Sequence, residues 1–170
     1  CSAEVVKVAK SLGCIKFVNI GSIQETFVEY TLDNLNFDWN LMQTNYSLCK
    51  LASRDMCKIT AYLEKLDYVH IRLSIPLDFS LTRGSYVSNT LKEIVASGTF
   101  EPPKNKQLFD IISTEDVAVY LYLVGLMGKN NNDYYIGSGV PALLEHFFWF
   151  FQQIVHGQYP SKVSLPVCSS

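Results

Sequence analysis

The sequence predicts an α/β protein, with a mostly parallel sheet covered by helices on both faces. Three observations carry that reading. Short runs rich in β-branched residues, Ile15 to Ile20, Tyr68 to Leu73 and Tyr134 to Ile136, have the length and character of buried strands. The segments between them are too long for hairpins and carry apolar residues at helical spacing, so successive strands run parallel through right-handed crossovers. Glycine and serine close two of the strands, at Gly21-Ser22 and Gly137-Ser138-Gly139. Ligands of such sheets sit beyond the carboxyl ends of the strands, which directs attention to those turns.

Taken in order, Ser2 to Leu12 repeats Val5, Val6, Ala9 and Leu12 on one helical face, with Gly13 at the C-terminal position. The strand Ile15 to Ile20 follows. Ile23 to Asn40 shows no sustained period, and Asp33, Asn34, Asn36 and Asp38 mark a surface loop. A long helix is expected next, its apolar stripe running from Leu48 through Leu51, Ala52, Met56, Ile59 and Leu63 to Leu66. After the strand Tyr68 to Leu73, Pro76 and the polar stretch to Gly84 make a long connection. Leu91, Ile94 and Val95 with Gly98 mark a helix, and Leu108 to Ile112 a short strand. Ser113 with Asp116 three residues on caps a helix that ends at Met127-Gly128. Beyond the strand Tyr134 to Ile136, Pro141 stands at the first position of a last helix reaching Val155.

Composition narrows the functional classes. With 48% hydrophobic and 18% charged residues in 170, the chain can bury a sizeable core and is not disordered. A formal net charge of -2 gives no basic stripe, so no nucleic-acid partner is expected. The most apolar run, Val117 to Gly128, falls short of the roughly 20 residues a membrane helix needs, so no membrane partner is expected either. Five cysteines without a C-x-x-C point to a reducing, cytoplasmic setting. His70, His146 and His156 have neither an i, i+4 partner nor a carboxylate set at metal spacing, so no metal site is expected.

Chemistry gathers at Tyr46 and Lys50, four residues apart and therefore on one face of the long helix. A nearby ammonium stabilises a phenolate and brings a tyrosine into the range of general acid/base work. With 10 tyrosines and 14 Lys plus Arg in the chain, that spacing recurs by chance, and the context decides. Ser22, at a strand end 24 residues earlier, supplies it.

Five blocks occur in order: Ile15-Lys16-Phe17-Val18-Asn19-Ile20-Gly21-Ser22, Asn45-Tyr46-Ser47-Leu48-Cys49-Lys50, Val69-His70-Ile71-Arg72-Leu73, Phe109 to Ala118, and Tyr134-Tyr135-Ile136-Gly137-Ser138-Gly139. Over Ser2 to about Gly157 the chain thereby resembles the extended short-chain dehydrogenase/reductases, in particular the NAD-dependent epimerase/dehydratase group that modifies nucleotide sugars. The resemblance implies a Rossmann-like sheet with a small C-terminal substrate region and NAD or NADP as cofactor. It also implies a nucleotide-sugar substrate and a homodimer. Residues 1–73 would be the second half of the cofactor-binding domain with its catalytic helix, 74–157 a substrate-binding region and 158–170 a tail. Ser22 would bond the reacting sugar oxygen, Tyr46 exchange its proton, and Lys50 hold the nicotinamide ribose, with Gly21 beside the cofactor.

The departures from that pattern are specific. No G-x-x-G-x-x-G occurs, and the opening helix matches the one before the family's catalytic strand, so the N-terminal half that binds most of the cofactor is expected to be missing. Family dehydratases carry Thr-Asp-Glu after that strand. Here Ser22-Ile23-Gln24 stands there, which disfavours dehydration and favours an epimerase or ketoreductase. Glu25, one residue on, is a candidate second acid/base against the substrate. Phe109 replaces a phosphate-contacting arginine and Ile75 an asparagine, leaving Arg83 as the candidate cation for the nucleotide. The alternatives are an NADPH-dependent keto-sugar reductase and a truncated, non-catalytic substrate-side domain. Phe147 to Phe151 covers too many helix faces for one core, and its burial is expected to be shared with a second surface.

Overall fold

The computed structural model describes residues 2–33, 44–82, 84–104, 106 and 108–158. Along the chain run α1 (Ser2–Ser11), β1 (Lys16–Ser22), α2 (Gln24–Asp33), α3 (Thr44–Leu63), β2 (Asp67–Leu73), β3 (Ile75–Leu77) and α4 (Tyr86–Ser97). Then come β4 (Leu108–Phe109), β5 (Ile111–Ser113), α5 (Thr114–Met127), β6 (Asn132–Ile136), β7 (Ala142–Leu143) and α6 (Leu144–Val155). The chain divides into two compact units, Cys1–Ser74 with Val117–Ile136, and Ile75–Asp116 with Gly137–Ser170. Most of α5 and all of β6 thus belong with the first unit, not with a contiguous block 74–157. β6 pairs with β2, and that pairing draws the chain back.

The first unit is a parallel sheet in the order β1-β2-β6, with Ser22 opposite Leu73 and Leu73 opposite Ile136. Alternation turns Tyr68 and His70 to one face of β2 and Val69 and Ile71 to the other. On the first face Tyr68 packs with Val6 of α1 and Cys57 and Ala61 of α3, all buried. Gly13 takes the left-handed conformation (φ 81°) that closes α1. Lys65 does the same after α3 (φ 53°), and the Leu66 N–H returns to the Ala61 carbonyl at 2.9 Å. Leu66 prolongs the apolar stripe of α3 because it is the buried residue of this Schellman-type turn, not because the helix continues.

Where a loop was expected over Ile23 to Asn40, Gln24 to Asp33 form α2. Its inward positions are Glu25, Val28 and Thr31, and two of these three are polar, which hides the helical period. The stretch 34–43 lies outside the described residues.

In the second unit β3 pairs parallel with β5, so Pro76 lies in a short strand instead of a loop. The strand expected at Leu108 to Ile112 is broken at Asp110, whose carboxylate takes the Ser138 and Gly139 N–H groups at 2.9 and 3.1 Å. Pro141 is not the first residue of α6. Ala142 and Leu143 pair antiparallel with β4 and delay the helix to Leu144. Leu77, Val87, Leu91, Ile94, Leu144 and Phe148 form the core, with Phe147 and Phe151 against it. Phe100 meets Phe148 edge to face at 5.5 Å. Of the aromatic run only Phe148 is fully buried; Phe147, Phe150 and Phe151 are half-buried and Trp149 is more than half exposed.

Among the described residues β1 has a strand on one side only, and Ile20 on it and Val119, Tyr122, Leu126 and Met127 on α5 are exposed. An open parallel edge beside exposed apolar side chains favours pairing with another chain. The 170-residue chain alone is expected to self-associate. Size-exclusion chromatography with light scattering checks this, and a monodisperse, heat-tolerant monomer would count against it.

Candidate functional site

The carboxyl end of β1 is built around a close approach. Ile23 N–H pairs with the Leu73 carbonyl at 3.0 Å, so the Ser22 N–H, one residue earlier, turns away from β2. Glu25 receives it. Its Oε1 accepts the Ser22 N–H at 2.8 Å, while Ser22 Oγ accepts the Gln24 N–H at 3.3 Å. This is a capping box, Ser22-x-x-Glu25, opening α2. Gly21 makes room for it, since a Cβ there would lie 2.1 Å from Glu25 Oε1 and 2.5 Å from His70 Cε1.

Glu25 is fully buried, and its Oε2 accepts from His70 Nε2 at 2.7 Å. The expected role for Glu25 as an acid/base facing a sugar is corrected by this placement: both of its oxygens are engaged inside the unit. Burial pushes its carboxyl up, but the hydrogen bonds from His70 and Ser22 and the charge of Arg72 outweigh burial and hold it below the ordinary 4.5. A depressed folded value adds stability that is present above 4.5 and lost as pH falls through the lower, folded value. The thermal midpoint should therefore fall as pH drops below 4.5, and calorimetry across that range is the check.

Around this pair lies a charged belt. Arg54 bonds Glu29, and Arg72 meets Glu29 at 2.6 Å and Asp133 at 3.5 Å. The belt ties α2 to α3, β2 and β6. On the imidazole's other side Asn19 Nδ2 lies 3.1 Å from His70 Nδ1 and 3.1 Å from the Tyr68 hydroxyl. Burial raises the Tyr68 phenol above its usual range, so it stays protonated and donates to the Arg54 carbonyl at 3.2 Å.

Tyr46 stands in the first turn of α3, 46% exposed. The Lys50 Nζ lies 5.8 Å from its ring centroid and donates to the Ile20 carbonyl of β1 at 3.3 Å. Ser47, next to Tyr46, donates to Gln24 Oε1 at 3.3 Å, which holds the turn after Ser22 against the start of α3. Ser22, Tyr46 and Lys50 thus gather at the carboxyl end of β1 within one unit. Arg83 lies outside the described residues. Among those residues no group of three or more His, Cys, Asp or Glu could hold a metal, and no helix is long and apolar enough to cross a membrane.

The second unit carries a cleft of about 780 Å³ lined in part by Ser85, Tyr86, Thr90, Glu101, Lys104 and Phe109. Its lining carries two aromatic rings, the hydroxyls of Ser85, Thr90 and Tyr86, the Lys104 ammonium and the carboxylates of Glu93 and Glu101.

No family model and no curated protein matches the sequence. Solved structures do match. UDP-glucose 4-epimerase from Thermotoga maritima, with UDP-glucose, superposes at a TM-score of 0.69 and 14% identity over 96% of this chain and 57% of that one. dTDP-glucose 4,6-dehydratase from Bacillus anthracis, in complex with NAD, gives 0.71 and 12% over 92% and 51%. RMD from Pseudomonas aeruginosa, complexed with NADPH, gives 0.71 and 14% over 91% and 57%. The chain therefore shares the Rossmann-like α/β fold of these proteins and spans about half their length.

Proposed function

We propose that this chain is the catalytic and substrate-side portion of a nicotinamide-dependent enzyme that epimerises or reduces a nucleotide sugar. The observation that supports it most is the gathering of Ser22, Tyr46 and Lys50 at one strand end, in a fold shared with nucleotide-sugar epimerases and dehydratases.

The residues present fit one end of a dinucleotide. Lys50, which donates to the Ile20 carbonyl and lies 5.8 Å from the Tyr46 ring centroid, would bond a ribose hydroxyl. The 170 residues contain no glycine-rich strand-turn-helix to cradle the pyrophosphate, so most of the cofactor's contacts fall to other chain. When bound, the nicotinamide supplies the carbon that takes and returns a hydride. Ser22 Oγ accepts from Gln24, which leaves its own proton to donate to the sugar oxygen. Tyr46 takes the proton of that oxygen as the carbon is oxidised and gives it back on reduction. The Lys50 ammonium stabilises the phenolate in between.

Dehydration needs a further acid to protonate a leaving hydroxyl. Ile23 cannot do this, and Gln24 is engaged by Ser47. For the nucleotide, the cleft of the second unit offers Tyr86 and Phe109 as faces for a base and Lys104 as a cation, with Glu93 and Glu101 also in its lining.

The reading is tested by giving the complete, NAD-loaded enzyme of which this chain is the proposed portion a nucleotide sugar that carries deuterium at the carbon bearing the reacting hydroxyl. Deuterium recovered on the nicotinamide, or in an epimerised sugar, supports it. Unlabelled cofactor and unchanged sugar across UDP- and dTDP-hexoses would overturn it.

A further inference from the structure

Capping-box carboxylates normally lie at the surface, where Glu and Gln serve equally because each needs only one acceptor oxygen. Glu25 differs. Its residue is fully buried, and its two oxygens face two donors from separate elements, the Ser22 N–H of β1 and the His70 Nε2–H of β2. His70 is itself fully buried, in the middle of an otherwise apolar strand, with Asn19 and Tyr68 at its second nitrogen. Tyr68 in turn donates to the Arg54 carbonyl of α3, one turn beyond Lys50. A continuous hydrogen-bonded path therefore joins the helix that bears Tyr46 and Lys50 to the main chain of Ser22.

We propose that Glu25, seated on the imidazole of His70, is a positioning residue that fixes the main chain at Ser22 and so sets the place of the Ser22 hydroxyl relative to Tyr46. What Ser22 meets there rests on the function proposed above; the holding of Ser22 does not, and it is measured without cofactor or substrate.

Chemistry at the two oxygens makes the idea separable from plain helix capping. A glutamine at position 25 accepts at one atom only, and its amide nitrogen then meets His70 Nε2, which must give up its proton and turn an Nδ1–H toward the Asn19 amide nitrogen 3.1 Å away. Plain capping tolerates that change, whereas positioning does not. Amide hydrogen exchange of Ser22, followed by mass spectrometry with residue-level fragmentation, which needs no monomer, reads the difference. Glu25→Gln should speed exchange at Ser22 by roughly 10-fold or more while Ile71, in the strand centre, keeps its protection. The double variant Glu25→Gln with His70→Gln offers the new amide an acceptor and should restore most of the protection at Ser22. A Glu25→Gln protein with wild-type exchange at Ser22 would overturn the proposal, as would a double variant no better protected than the single one. If Glu25→Gln does not fold, His70→Gln, which keeps a donor, is compared with His70→Leu, which does not. Protection at Ser22 kept only in the glutamine variant supports the proposal, and equal exchange in both overturns it.

Discussion

In the complete enzyme proposed to contain this chain, Tyr46→Phe should lower turnover of a nucleotide sugar by roughly two to four orders of magnitude, the usual scale for a positioned general acid/base, and leave KM nearly unchanged. The hydroxyl handles a proton only as the sugar carbon changes oxidation state, so its loss removes stabilisation made in the transition state and little of the ground-state binding. The exposed ring remains, and with it the contact to the Lys50 ammonium. Lys50→Met is expected to behave differently. It removes the donor at the Ile20 carbonyl and the charge beside the ring, so cofactor affinity should weaken and the rate profile move to higher pH. Steady-state kcat and KM measured against pH for the two variants separate these outcomes. A Tyr46→Phe enzyme with raised KM and unchanged kcat would make Tyr46 a binding residue only.

The second large effect falls on stability. Gly21→Ala should destabilise the first unit by on the order of 3 kcal/mol, combining overpacking with disrupted buried hydrogen bonds. For a chain of this size that corresponds to a Tm lower by roughly 6–12 °C. The added methyl meets Glu25 Oε1 and His70 Cε1 well inside contact distance, and both side chains are fully buried and cannot swing into solvent. Gly13→Ala is the instructive comparison. There the backbone has φ 81° but nothing lies within 4 Å of the new Cβ, so only the left-handed strain of roughly 1 kcal/mol is felt. Thermal denaturation of both variants by circular dichroism gives the order. A Gly21→Ala protein no less stable than Gly13→Ala would mean that the Glu25–His70 contact yields easily.

The parallel strands and long helices were legible because β-branched runs and 3.6-residue periods are properties of the chain itself. The gathering of Tyr46 and Lys50 on one helix face was legible for the same reason. Helix α2 was not read, although Ser22-x-x-Glu25 is the same capping signal that marked α5 at Ser113 and Asp116; the Ser113 Oγ does accept the Asp116 N–H at 3.0 Å. Two polar residues on the inward face of α2 masked its period. His70 carried a signal too: a histidine between Val69 and Ile71 in a central parallel strand must find a partner or destabilise the sheet. Its partner lies 45 residues earlier, and no local pattern announces a pairing at that separation. The return of β6 to the first sheet and the break at Asp110 depend on long-range pairing in the same way.

A single-turnover experiment on the complete enzyme proposed to contain this chain decides whether Tyr46 is the acid/base. The NAD-loaded complete enzyme and its Tyr46→Phe variant are mixed rapidly with saturating nucleotide sugar, and reduction of the nicotinamide is followed by its absorbance. Reduction should be rapid in the wild type and at least roughly 100-fold slower in the variant, with cofactor and sugar still bound. Reduction at the wild-type rate in Tyr46→Phe would contradict that role.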